Sequence, residues 1–142
     1  MIDVSNLILK KVKEAVVLHY ADCYFTSTLP ESVTKDRVVA MTELDNYTYR
    51  KSLDDRNVEH HSVVQLQFDV FSNNTEGKRS EAKDIMSIVD DTMISNRFVR
   101  TMCQPVPNAD RSYYRITARY EAVVAENFTD DMNNVINQVY RR

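Results

Sequence analysis

Apolar residues recur every three or four positions at the start of the chain, at Val4, Leu7, Ile8, Val12, Ala15 and Val16, with Lys10, Lys11, Lys13 and Glu14 between them. That period is one face of an α-helix, so the pattern predicts an amphipathic helix over 3–19 with Asp3 as its N-cap. A second stripe, Ala82, Ile85, Met86, Val89 and Met93, predicts another helix over 77–95. Asn74 or Thr75 is its candidate N-cap, Glu76 supplies an acid near its start, and Ser95-Asn96 ends it. Over 64–70 the period changes to two: Val64, Leu66, Phe68 and Val70 alternate with Gln65, Gln67 and Asp69, the signature of a strand with one face in the core and one in water.

The same reasoning fills in the rest of the sheet. Residues 37–49 are rich in Val, Thr and Tyr and form a strand, with a bulge or bend at Leu44-Asp45-Asn46 where the alternation breaks. Residues 98–104 and 113–125 form an antiparallel pair joined by a rigid loop at Pro105-Val106-Pro107-Asn108, whose prolines are expected to end ladder pairing. In the last strand Tyr114, Ile116, Ala118, Tyr120, Ala122 and Val124 face one way, and Arg115, Thr117, Arg119 and Glu121 the other. Residues 21–30 suit a short strand or an extended connection. The expected fold is therefore α+β, a mostly antiparallel sheet of about four strands with two amphipathic helices on one face. Phe68, Ile85, Val89, Tyr114 and Ile116 are assigned to the core, and the other sheet face, polar and rich in arginine and threonine, is left to solvent or to another chain. One domain spans 1–142, with a core over 1–125 and a C-terminal extension over 126–142 that offers one weak helical turn at Val135, Ile136 and Val139.

Composition narrows the chemistry. With 142 residues, 18 Lys+Arg and 21 Asp+Glu, the chain is long enough for a self-sufficient core and carries a net charge of −3. Nothing basic is in excess to drive sequence-independent binding to phosphates. The longest apolar runs are four residues, far short of the roughly 20 that cross a bilayer, so no membrane partner is expected, and no signal-peptide pattern opens the sequence. A single glycine, Gly77, leaves no room for a P-loop or dinucleotide fingerprint. Cys23 and Cys103 form no CxxC or Cys/His cluster, as expected of thiols in a reducing compartment. The adjacent His60 and His61 point to opposite faces of an extended segment and cannot chelate one ion together. Asp54-Asp55, Asp90-Asp91 and Asp130-Asp131 read as solvated acidic pairs, and His19 near Cys23 lacks the third group of a nucleophilic site. The expectation is no enzyme, no catalytic residue, no cofactor and no metal.

What remains is interaction chemistry. Tyr47, Tyr49, Tyr113, Tyr114 and Tyr120 suit a base-stacking platform less well than strand packing or a protein interface, because the basic groove that accompanies stacking is missing. The polar connector 50–61, with Arg50, Lys51, Asp54, Asp55 and Arg56, is longer than a hairpin requires and reads as a functional arm. Arg100, Arg115, Arg119 and Glu121 complete the candidate interface as charged groups near a lateral contact, where reversing Arg115 and Arg119 is expected to leave stability unchanged.

Several segments together carry a resemblance. Glu43-Leu44-Asp45-Asn46-Tyr47-Thr48-Tyr49-Arg50-Lys51-Ser52-Leu53 is followed by Phe68-Asp69-Val70-Phe71-Ser72-Asn73-Asn74 and Gly77-Lys78. Then come Phe98-Val99-Arg100-Thr101, Pro105-Val106-Pro107-Asn108, Tyr114-Arg115, Ala118-Arg119-Tyr120-Glu121-Ala122-Val123 and a closing Tyr140-Arg141-Arg142. In order and spacing these resemble the tail-completion or tail-terminator proteins of long-tailed bacteriophages and phage-like prophage elements, often called minor capsid proteins. The chain departs from the family pattern at the acidic segment 126–138. The resemblance implies a virion structural protein, a homo-oligomeric, hexameric ring that caps the tail tube and joins the tail to the head. Its implied partners are further copies of itself, the tail tube protein and a head–tail connector or stopper protein, with DNA passing through the lumen unbound. Its place is the virion neck, after assembly in the host cytoplasm. Another neck component, such as a head-completion or adaptor protein, is the near alternative, and a small nucleic-acid-binding regulator the distant one.

Overall fold

The computed structural model describes residues 3–30, 35–48, 61–107 and 112–125. Both amphipathic patterns become helices, α1 (Ser5–Val17) and α2 (Lys78–Ser95), and they turn their stripes onto one face of a single sheet. The sheet holds β1 (Tyr24–Thr26), β2 (Arg37–Thr48), β3 (His61–Ser72), β4 (Val99–Val106) and β5 (Tyr114–Ala125) in the order β1-β2-β3-β5-β4. The fold is α+β as expected, with five strands in place of about four. The addition is β1, which pairs in parallel with Val38–Ala40 at the start of β2; every other pairing is antiparallel.

The core lies between the helices and this face. Ile8, Val12 and Val16 of α1 and Ala82, Ile85, Val89 and Met93 of α2 meet Val39 and Met41, the even-numbered positions of β3, and Ile116, Ala118 and Tyr120 of β5. The Phe68 and Tyr120 rings meet edge to face with centroids 6.0 Å apart, a favoured aromatic geometry. Of the residues assigned to the core, Phe68, Ile85, Val89 and Ile116 are buried and Tyr114 packs at its margin.

Several local expectations change. α1 begins one residue later than a cap at Asp3 requires, with Val4 as N-cap. Asp3 still serves the helix start, its Oδ1 accepting from the backbone N–H and hydroxyl of Ser5 at 3.0 and 2.7 Å. Those bonds, the backbone one foremost, hold the Asp3 carboxyl below its ordinary pKa. Before α2 the N-cap is Gly77, not Asn74 or Thr75; the Asn74 side chain instead accepts from the Glu76 N–H in a tight turn. At the far end Asn96 is the C-cap and Arg97 takes a left-handed conformation (φ 67°). The Arg97 N–H donates to the Ile94 carbonyl and the Phe98 N–H to that of Met93. This is a Schellman ending with arginine where glycine is usual, and the buried Phe98 supplies its apolar contact.

The strand expected to bend at Leu44 does so: the register of β2 against β3 shifts between Glu43 and Asp45. Pro105 corrects the expectation that the ladder stops before it, since it lies inside β4 opposite Ile116 and pairing runs on to Val106. A proline is tolerated there because β4 is an edge strand, where the missing N–H sits on the unpaired side.

Candidate interaction surface

The sheet face away from the helices is not the wet surface that the period-two pattern suggests. Val38, Ala40, Val63, Asp69, Phe71 and Thr117 on it are buried, Asp69 completely at 0% exposure. A carboxylate without water needs charge and hydrogen-bond partners, and its neighbours supply them. Arg115, two residues along β5 from Thr117, the register partner of Asp69, brings Nε to 3.0 Å and Nη2 to 2.9 Å from Asp69 Oδ1, while Gln67 Nε2 donates to Oδ2 at 2.9 Å. The same guanidinium lies 5.5 Å from the Phe71 ring centroid, so its flat face covers an apolar neighbour while its edge binds the acid.

The ladder continues along the sheet. Arg119 Nε donates to Gln67 Oε1 at 2.9 Å, and Gln65 Nε2 to Glu121 Oε1 at 3.2 Å. Arg115, Arg119 and Glu121 thus stand together on one face. Their roles differ: Arg115 neutralises a buried charge, whereas Arg119 is exposed and bonds only a neutral amide among the described residues. The buried partner of Arg115 argues against the expectation that both arginines are dispensable to folding.

Arg100 is on the opposite face. It pairs in register with the core residue Tyr120, and its Nη1 lies 3.3 Å from Asp90 Oδ1 on α2. The same carboxylate oxygen accepts the Tyr120 hydroxyl at 2.8 Å. Asp90 is thus a tether between α2 and β5, in place of the solvated acid expected of the Asp90-Asp91 pair. Burial, with the bond to Asp90 second, pushes the Tyr120 phenol well above its ordinary pKa. Arg50, Lys51, Asp54, Asp55 and Arg56 lie outside the described residues, as does Tyr49.

A polar cluster missed in the sequence joins the ends of β2, β3 and α2. Glu81, buried in the first turn of α2, pairs with Arg37 Nε at 2.5 Å and accepts from the Ser72 hydroxyl at 3.0 Å and the Asn74 amide at 2.6 Å. Arg37 also reaches Asp22 at 2.6 Å, and its guanidinium lies 5.8 Å from the centroid of the Tyr20 ring. Burial opposes the charged form of Arg37, but Glu81 and then Asp22 outweigh it and raise its pKa. Tyr20 donates to Asp84 at 2.6 Å, and that bond, with burial second, pushes its phenol up to about 12. Each carboxylate here holds a structural partner, so the cluster fastens elements together. The sole sequence signal was Glu81 beside the apolar stripe.

Burial pushes the Cys23 thiol up to about 12, the reverse of what activates a nucleophile. Cys103 is exposed, and both cysteines are free. Among the described residues no three His, Cys, Asp or Glu side chains are grouped to hold a metal ion, and no helix is long and apolar enough to cross a membrane. The described members of the expected tyrosine platform do not stand together: Tyr120 is core, Tyr113 donates to the Lys35 carbonyl, and Tyr47 is about half exposed at 46%.

No protein-family model and no curated protein matches the sequence. Among solved structures, the chain is similar to the sheath/tube terminator, in its extended state, of PVC, an extracellular contractile injection system studied by cryo-EM. The TM-score is 0.39 at 16% identity, and the match takes in 96% of this chain and 62% of that one, so the chain spans less than two thirds of that protein's length.

Proposed function

We propose that this chain is a tail-terminator, or tail-completion, protein of a phage or phage-like tail: a structural part that caps the tail tube, ends its growth and joins it to the head connector. The observation that carries the reading is the ordered series of segments between Glu43 and Val123 that resembles this family in sequence. In the fold the described parts of these segments fall largely on the long strands β2, β3, β4 and β5 and on the turn before α2. There they shape the surface and edges of the sheet. Copies of the chain form a ring, hexameric in this reading, with the tail tube on one side, the connector or stopper on the other, and DNA passing through the lumen. The ring belongs to the virion neck and assembles in the host cytoplasm.

The nucleic-acid regulator fits less well. Arg115 is committed to Asp69 and Arg119 to Gln67, and a net charge of −3 supplies no counterion release. The test is to polymerise a tail-tube protein from the same source with and without the purified chain. Tubes that stop growing and carry a ring at one end support the reading. Unaltered growth with no bound chain overturns it, and binding to connector rings but not to tubes moves the chain to the head side of the neck.

A further inference from the structure

The sheet has two open edges, and they are unlike. β1 covers only Val38–Ala40 of β2, so among the described residues no strand flanks Met41–Thr48, and none flanks the outer side of β4. Following partners across the sheet gives the height of each position. Glu43, Leu66, Tyr120 and Arg100 share one level, and Asp45, Gln65, Glu121 and Val99 share the next. At the other end Val39, already paired to Phe25 of β1, is level with Pro105, which has no N–H to offer. Met41–Asp45 of β2 and Val99–Cys103 of β4 therefore stand at the same height on the two edges, and the covered Val39 is level with the donorless Pro105.

We propose that the open edge of β4 in one copy pairs with the open half of β2 in the next, extending the sheet from chain to chain. Three antiparallel steps separate β2 from β4, so the two run in opposite directions. A copy placed head to tail keeps its strand directions, and the new pairing is antiparallel, the stronger ladder. At that seam Arg100 stands across from Glu43 on the helix side, and Val99 across from Asp45 on the other. Val99, 66% exposed, and Leu44 are apolar groups left open in the single chain, and this contact covers them. Charge favours the arrangement: β4 against β4 offers Arg100 no acid, since β4 holds none, and β2 against β2 brings the acids Glu43 and Asp45 to one seam, whereas β4 against β2 joins opposite signs. Unlike edges joined repeatedly by one rotation give a closed ring when the rotation closes and a filament when it does not. The inference deepens the terminator reading, resting on it for the closed ring and not for the contact.

The test traps the seam by disulfide in the full chain, carrying Val99→Cys and Asp45→Cys with Cys103→Ser, oxidised at the highest soluble concentration. A ladder of cross-linked oligomers is expected from the pair, and none from either cysteine alone. Arg100→Glu or Glu43→Arg, both at exposed positions, should each weaken trapping about tenfold, the 1.4 kcal/mol equivalent, and the two together should restore it. Thermal melts check that each variant is folded; if either reversal disturbs the fold, Arg100→Gln replaces it and should give an intermediate loss. Absence of a ladder, dimers from Val99→Cys alone, or a double reversal no better than the singles overturns the proposal. Tube capping is scored in parallel: trapping without capping keeps this contact and rejects the terminator reading, and capping without trapping does the reverse.

Discussion

Replacing Arg115 by methionine keeps most of the aliphatic length and removes the cation beside Asp69. Asp69 is fully buried, and two of its three side-chain contacts come from Arg115. Removing one partner of a buried pair strands the other charge, at about 3–5 kcal/mol. Gln67 still donates to Oδ2, which favours the lower end, while lost stacking on Phe71 adds back roughly 0.5–1 kcal/mol. The expected loss is about 3 kcal/mol, or a fall in Tm of roughly 10 °C for a chain of this size. Asp69→Asn removes the charge instead and leaves Arg115, partly exposed, in reach of water, so it should cost only about 1–2 kcal/mol. With no charge left to strand, the double variant should be more stable than the sum of the singles by about 2 kcal/mol. Urea unfolding followed by circular dichroism measures all four corners of the cycle. Strict additivity, or a loss below about 1 kcal/mol for Arg115→Met, would refute the view that Arg115 neutralises Asp69. The cycle also fixes which interface variant is informative: Arg119→Glu should leave Tm nearly unchanged, whereas any Arg115 variant confounds assembly with folding.

Phe68→Ala should cost about 3–5 kcal/mol by chemical denaturation, because Phe68 is fully buried against Tyr120; an unchanged midpoint would mean the core is elsewhere. Arg97→Gly should stabilise by about 0.5–1 kcal/mol, since glycine takes the left-handed position without Cβ strain, and a loss on thermal melting would count against the Schellman ending. In alkali, Tyr20 and Tyr120 should ionise above the ordinary phenol value, Tyr20 near pH 12. Because both folded values lie above the ordinary 10.0, their contribution is complete below pH 10 and is lost as pH rises through the folded values. Ultraviolet phenolate absorbance would show one unresolved step near pH 10 in the folded chain if this is wrong. Deleting residues 54–58 from the connector should leave the melt intact and abolish joining of tails to heads; normal DNA-filled particles from that deletion would retire the arm.

What the sequence disclosed was local. The stripe from Ala82 to Met93 and the alternation from Val64 to Val70 each show their period within a few residues, and both elements formed where expected. Three features depended on distant partners and were hidden. The short strand that 21–30 suited is present as β1, but its partner was hidden: three residues carry no period, and only the fold shows the parallel pairing with Val38–Ala40. Asp69 sits at a position that reads as solvent-facing within its own strand, and Arg115, which neutralises it, is 46 residues away. Arg100 seemed to belong with Arg115 and Arg119, but the register shift between Arg100 and Met102 and the pairing with Tyr120 set it on the helix side. The charges level with each other on the open edges, Glu43 and Arg100, become visible only when register is followed across four strands.

The central claim, a ring that ends the tail tube, is tested most directly by electron microscopy of assembled particles carrying a small tag on this chain. The account predicts the label in a single ring where the tail tube meets the head, and headless tubes of uncontrolled length when the chain is absent. Label elsewhere on the particle, or none in it, together with tubes of normal length without the chain, would contradict it.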